Sequence, residues 1–147
     1  MKRQTKYSIF ACSLILVLAS WGSCKRTSTI TKVEMHLSAF GVESDEYPSV
    51  DAVIDFEHDS SNCLKWFYNP SHQSSNYKLS SNETRKALDL LQKLDLQNLK
   101  TEYKTDISDE PTSTTSIYTS SGNYVIKDYG LKAGYPLQQL YKLVYEF

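Results

Sequence analysis

Cysteine is scarce in this chain: three residues in 147, at positions 12, 24 and 63. Cys12 sits inside an N-terminal apolar segment and Cys24 at its end, so the body of the protein keeps only Cys63 and no disulfide framework can form. A Cys24 to Cys63 bond is the one alternative, open only if Cys24 is not otherwise modified. Long apolar runs are absent as well. The longest covers residues 9–21, 13 positions, whereas a helix crossing a bilayer needs about 20. The five glycines build no Gly-rich phosphate loop, and neither a nucleophile elbow nor a zinc-protease motif is present. Lys and Arg cluster on no stretch in the way a phosphate-binding surface requires, which argues against nucleic acid as a partner. There is no internal repeat and no low-complexity tract. No motif assigns a reaction.

What the chain does have is an export signal. Lys2, Arg3 and Lys6 precede the apolar run, and Ser20, Gly22 and Ser23 put small residues before Cys24, the order of a signal peptide. Gly22-Ser23-Cys24 resembles the end of a bacterial lipobox, in which a dedicated peptidase cuts before a cysteine whose sulfur has received a diacylglycerol. The resemblance implies that residues 1–23 are removed and that Cys24 is the lipidated first residue, carrying acyl chains such as palmitate. It further implies a membrane-anchored lipoprotein facing the periplasm or cell surface. Trp21 departs from the pattern, which has a small or aliphatic residue at that place; an ordinary signal peptide cut near Ser20 or Ser23 is the alternative. Removing residues 1–23 takes away three of the 16 basic residues and none of the 17 acidic ones, leaving 13 against 17 and a net charge of −4. Adsorption to anionic headgroups is therefore disfavoured, and attachment to the membrane rests on the lipid at Cys24.

The remaining 124 residues suffice for one core and are too few for two domains. Residues 24–31 are polar and threonine-rich and read as a flexible tether; residues 32–147 form a single α+β domain. In residues 31–40, Val33, Met35, Leu37 and Ala39 alternate with Lys32, Glu34, His36 and Ser38, a strand with one wet side. Gly41, Pro48 and the acids Glu43, Asp45 and Glu46 make residues 40–49 a loop. Residues 50–57 and 63–68 form a hairpin around Asp59-Ser60-Ser61-Asn62. Ala52, Ile54 and Phe56 share a face there, and Leu64, Trp66 and Tyr68 alternate with Cys63, Lys65 and Phe67. Residues 69–77 read as an irregular exposed connection. Ser80 and Glu83 make a capping box for a helix over about residues 81–95, with Ala87, Leu88, Leu90, Leu91 and Leu94 on one stripe. A second hairpin joins residues 114–119 and 124–129 through Ser120-Ser121-Gly122-Asn123, with Gly122 at positive φ. Pro136 opens a final helix over about residues 136–146, with Leu137, Leu140, Tyr141 and Val144 inward. The sum is an antiparallel sheet built from a first strand and two hairpins, with two helices packed on one face.

The second half also carries Tyr103, Thr105-Asp106, Pro111-Thr112, a threonine-rich strand, Val125-Ile126-Lys127-Asp128-Tyr129-Gly130 and Pro136-Leu137. Together these resemble a family of small bacterial lipoprotein domains of unknown function, number 6438 in the unknown-function series, over residues 33–147. The resemblance implies the fold and the location and no activity. Paired cysteines around a glycine, ahead of a Pro-x-Tyr, are common in that family. Here Phe40-Gly41 and Tyr47-Pro48 stand in rough correspondence without either cysteine, so no thiol role carries over.

Four groups of residues carry the available chemistry. Asp55, Glu57, His58 and Asp59 offer oxygen and imidazole ligands that would share a face if the strand stayed regular, although their spacing matches no known metal cage. Cys63 with His58 or His72 could meet as nucleophile and base, but a lone cysteine in an apolar strand reads first as a small buried residue. Asp106, Asp128 and Tyr129 lie in the family-like segments, where aspartates beside Gly and Pro organise turns. Trp66 and Tyr68 offer an aromatic surface suited to a sugar or a protein partner, although aromatics also favour strands for packing alone and alternation turns either this pair or Phe67 toward the core. The expectation is a non-catalytic, lipid-anchored binding or envelope-assembly module, with an envelope protein or glycan as partner and no cofactor. A glycan-binding or inhibitor-like domain is the alternative, and a metal-dependent enzyme comes third.

Overall fold

The computed structural model describes residues 28–39, 42 and 46–146; the export segment, Trp21, Cys24 and most of the loop after Ala39 lie outside the described residues. Seven strands and two helices follow in the order β1 (Ile30–Ser38), β2 (Ser49–Asp55), β3 (Ser60–Trp66), β4 (Ser75–Tyr77), α1 (Ser81–Leu91), β5 (Glu102–Tyr103), β6 (Thr112–Thr119), β7 (Gly122–Tyr129) and α2 (Leu137–Tyr145). All seven strands join one sheet in the order β4-β3-β2-β1-β6-β7-β5. The pairs are antiparallel except β5 with β7, which is parallel. The class is α+β, as the pattern of elements predicts, but the layout differs from a first strand followed by two hairpins. The first strand is inserted between the hairpins, and β4 and β5 extend the sheet at its two edges. Both added strands are two or three residues long, too short to show an alternation, and they exist because β3 and β7 offer unpaired backbone groups.

Alternation within the strands decides which side is covered. Val33, Met35 and Leu37 of β1 pair with Ile54, Ala52 and Val50 of β2, and all six are buried. Ile117 and Ile126 continue that face across the second hairpin, and both helices close over it with Ala87, Leu91, Leu137, Leu140, Tyr141, Val144 and Tyr145. Apolar area removed from water there is the main stabilising term, at about 25 cal/mol per Å2. Among the described residues no helix lies on the other side of the sheet.

The helix starts follow the sequence closely. Ser80 accepts the Glu83 amide, and the Glu83 carboxylate takes the Ser80 amide in return, completing the capping box. The Ser80 hydroxyl, which donates to the Glu83 carboxylate, and after it the Ser80 amide hold that carboxyl below its ordinary pKa. α1 ends at Leu91, earlier than residue 95, because the last turn tightens: Lys93 and Leu94 donate to Leu90 and Leu91 three residues back. The Asp95 carboxylate then captures the amides of Gln97 and Asn98 for a separate turn. α2 starts after Pro136, and Tyr145 joins the inward stripe. The turn of the second hairpin is Ser120-Ser121, two residues rather than four, with the Thr119 hydroxyl accepting the amides of Ser121 and Gly122. Gly122 takes the expected positive φ, 156°, but as the first residue of β7 rather than within the turn. Gly130 is the residue that needs its missing side chain. It sits at φ +83°, and a Cβ there would lie 2.5 Å from Thr105 Cγ2, which is how the Thr105 segment packs against the end of β7.

Ser80→Ala should lower unfolding free energy by about 1 kcal/mol, the ordinary value of an N-cap. Gly130→Ala should cost more, since it combines a positive φ with a steric overlap. Urea denaturation of the two variants side by side gives the ranking; equal losses would contradict the packing of Thr105 on Gly130.

Candidate functional site

The candidate site is the side of the sheet that no helix covers among the described residues. The pairings place its outward residues in rows that run across the strands. One row reads Leu64, Asp51, His36, Thr114, Lys127; the next reads Asn62, Val53, Glu34, Ser116, Val125. Every one of these residues has an inward neighbour in the core, so the outward direction follows from the two-residue period of a strand. Glu34, His36, Asp51, Val53, Thr114 and Ser116 line a shallow depression of about 260 Å3.

Hydrogen bonds across the rows fix the side chains. His36 Nδ1 lies 2.6 Å from Asp51 Oδ1, and the other Asp51 oxygen accepts the Trp66 indole N–H at 3.0 Å. Trp66 is half-buried, and its ring centroid is 4.9 Å from that of Tyr68 with the planes at 59°. Tyr68 is 47 % exposed. Beside them, Glu34 takes Lys32 Nζ and the Tyr118 hydroxyl, each at 2.7 Å, while Lys32 also lies 4.1 Å from the centre of the Tyr118 ring. The Lys32 bond, ahead of that from Tyr118, holds the Glu34 carboxyl below its ordinary range.

Trp66 and Tyr68 are therefore together on the outward side, one of the two arrangements that alternation left open. Phe67 points elsewhere, its ring 4.9 Å from that of His72. The sequence did not mark His36 and Asp51 as partners. They are 15 residues apart and meet only through the β1–β2 register; the wet-side position of His36 was the available signal.

The acidic hairpin is arranged differently from a shared strand face. β2 ends at Asp55, and the turn is residues 56–59 rather than 59–62. The cause is local. Asp55 Oδ1 accepts the amides of Glu57 and His58, and Oδ2 meets His58 Nδ1 at 2.8 Å, which bends the chain before Glu57 can continue the strand. Asp59 adopts φ 44° and accepts the Ser81 hydroxyl at the start of α1. Asp55, Glu57, His58 and Asp59 thus do not share a strand face, and among the described residues no group of three or more His, Cys, Asp or Glu is placed to hold a metal ion.

Cys63 faces the core, and burial pushes its thiol up to about 11. It is a neutral thiol at physiological pH, poorly suited to attack. His58 is engaged with Asp55 in the exposed turn and His72 lies against Phe67. Asp128 is fully buried and accepts the amides of Lys132 at 2.7 Å and Ala133 at 2.9 Å, so it organises the connection into α2. Tyr129 accepts the Glu110 amide through its hydroxyl, and Asp106 is exposed beside Thr105, whose hydroxyl takes the Ile107 amide.

Two further concavities exist. A groove of about 480 Å3 runs between the helices beside Lys86, Lys93 and Tyr135. A cavity of about 580 Å3 opens where β1 and α2 end, lined by Leu37, Ala39, Tyr47, Pro48, Leu131 and Tyr145 among others.

The model of a family described as "Domain of unknown function (DUF6438)" matches residues 66–147. That span starts at Trp66 and takes in the family-like segments from Tyr103 onward, but it is narrower than residues 33–147, so β1, β2 and nearly all of β3 fall outside it. No curated protein and no solved structure matches the chain.

The His58–Asp55 pair has a definite pH signature. The bond from Asp55 raises the His58 pKa above 6.5, and the bond from His58 lowers that of Asp55 below 3.8. The contribution of His58 is complete below 6.5 and disappears as pH rises through its raised value; that of Asp55 is complete above 3.8 and disappears as pH falls through its lowered value. The turn is tied most firmly between the two. An NMR titration should place the His58 midpoint above 6.5, and Asp55→Asn should return it to the ordinary value; an unchanged midpoint would show that the pair does not form in solution.

Proposed function

The chain belongs to the DUF6438 family, whose description assigns no function, and from that premise we propose that it is a non-catalytic binding module of the cell envelope, held at the membrane by lipid on Cys24. The observation that carries the reading is the uncovered sheet face. Two helices bury one side of the sheet, while the other presents the Trp66–Tyr68 ring pair beside a hydrogen-bonded row of Asp51 and His36. Side chains locked to one another before a partner arrives lose little freedom on binding. Aromatic side chains, with their large area and few torsions, are the residues in which binding energy concentrates.

The anchoring half of the proposal rests on the basic start, the 13-residue apolar run and the small residues before Cys24. β1 begins at Ile30, so few residues separate that cysteine from the sheet. Among the described residues no helix is long and apolar enough to cross a membrane.

Full-length protein tagged at the carboxyl end should retain one envelope component from solubilised envelopes, and Trp66→Ala and Tyr68→Ala should lose it while keeping the wild-type circular dichroism spectrum. Equal recovery by folded variants would remove this face as the binding surface. Cells fed radiolabelled palmitate should label the wild-type chain and not Cys24→Ala; label on both would refute the anchor.

A further inference from the structure

Resting on the reading of the sheet face as a recognition surface, we propose that its ligand is an uncharged glycan chain, with sugar rings laid against Trp66 and Tyr68 and hydroxyls bonded to the row of Asp51, His36 and Thr114. Three properties of the face lead there.

The first is its charge. The acids in its middle are already engaged: Glu34 is held by Lys32 and Tyr118, and Asp51 by His36 and the Trp66 indole. A strongly acidic or basic ligand would have to break these bonds to pair with the groups that make them. A neutral ligand has no such requirement.

The second is hydrogen-bonding capacity. A carboxylate offers about four lone-pair sites. Each oxygen of Asp51 and Glu34 uses one within the protein, through the four contacts named above, so acceptor sites remain at fixed positions. His36 keeps its Nε2, and Thr114 and Ser116 line the same depression with hydroxyls that both donate and accept. Closely spaced donors and acceptors of this mixed kind match the vicinal hydroxyls of a saccharide, which present the same mixture.

The third is the distribution of apolar surface. Val53 and Val125 are exposed at 41 % and 45 %, but in their row Glu34 and Ser116 stand between them. The middle of the face is polar, with the Trp66–Tyr68 ring pair on one side of it and Tyr118, bonded to Glu34, on the other. A protein interface has the opposite plan, an apolar centre depleted of charge inside a polar rim. A sugar ring, apolar on its C–H faces and polar around its edge, fits aromatic rings beside a polar floor. Trp66 is suited to this because Asp51 fixes its indole before the ligand arrives, so stacking requires no further ordering.

Trp66 and Trp21 are the two tryptophans of the chain, so full-length Trp21→Phe protein in detergent micelles reports on Trp66 alone through its fluorescence. The probes are neutral tetrasaccharides of glucose, mannose, galactose and N-acetylglucosamine, with an acidic oligogalacturonate for comparison. At least one neutral probe should change the emission saturably, with an affinity insensitive to added salt, and Tyr68→Ala should weaken it about tenfold or more, the loss expected of a hot-spot ring. The oligogalacturonate should bind more weakly. Tyr68 is exposed, so this variant separates lost binding from lost folding. Absence of any response to the neutral probes, binding that falls steeply with salt, or affinity unchanged in Tyr68→Ala would overturn the glycan assignment. Should an envelope protein still be captured in a Trp66-dependent manner, the recognition face would stand with a protein as its ligand; should nothing be captured either, both proposals fall.

Discussion

The pairing of β1 on both of its edges is the constraint on which the rest of the structure depends. β2 bonds to one edge and β6 to the other, so the two hairpins become one sheet only through this strand. Its inward residues Val33, Met35 and Leu37 occupy the middle of the core, and its outward residues Lys32, Glu34 and His36 occupy the middle of the open face. A single alternating stretch therefore sets both the buried and the presented side. A slip of one residue would exchange them, placing Glu34 and His36 under the helices; the cost of burying those groups unpaired keeps the register unique.

The core and the face answer to different rules. Beneath the helices most polar groups have a defined task, although the buried hydroxyls of Thr115 and Tyr141 have no hydrogen-bond partner among the described residues. Asp128 gathers the amides of the turn before α2, the Ser113 hydroxyl meets that of Tyr145 at 2.7 Å, and the Tyr77 hydroxyl donates to the Val144 carbonyl. Burial pushes the phenols of Tyr77, Tyr141 and Tyr145 upward, so they remain neutral. On the open side the bonds run between side chains of neighbouring strands and stay in contact with water, where they contribute little to stability but hold the rings and carboxylates in place. Rigidity there is more useful to recognition than to folding.

Much of this arrangement was legible in the sequence, and the gaps have physical causes. Alternation identified the inward and outward sets of β1, and Ser80 with Glu83 located the start of α1, because both signals are local. Strand order was not local: nothing within residues 30–38 states that the partner on one side lies beyond residue 110. β4 and β5 carried no pattern of their own and are recruited by the edges of longer strands. The turn of the first hairpin moved because the Asp55 side chain competes with the ladder for the amides of Glu57 and His58, and composition favoured the serine and asparagine positions that follow. That same competition separated the carboxylates whose convergence the strand period had suggested. For the open face, Trp66 and Tyr68 were visible as a pair, while the Asp51 and His36 between them and the depression became visible only with the register.

A central strand that is also the first in the chain has a consequence for the order of events at synthesis. The partners of β1 on one side emerge soon after it, but Thr115 and Ile117, opposite Met35 and Val33, come 80 and 84 positions later. Contacts this distant in sequence slow folding because a long loop must close before they form. The half-sheet of β1 to β4 must wait with one edge of its middle strand unpaired until the last hairpin arrives. A chain built this way leaves its middle strand open on one edge until the second hairpin has been made.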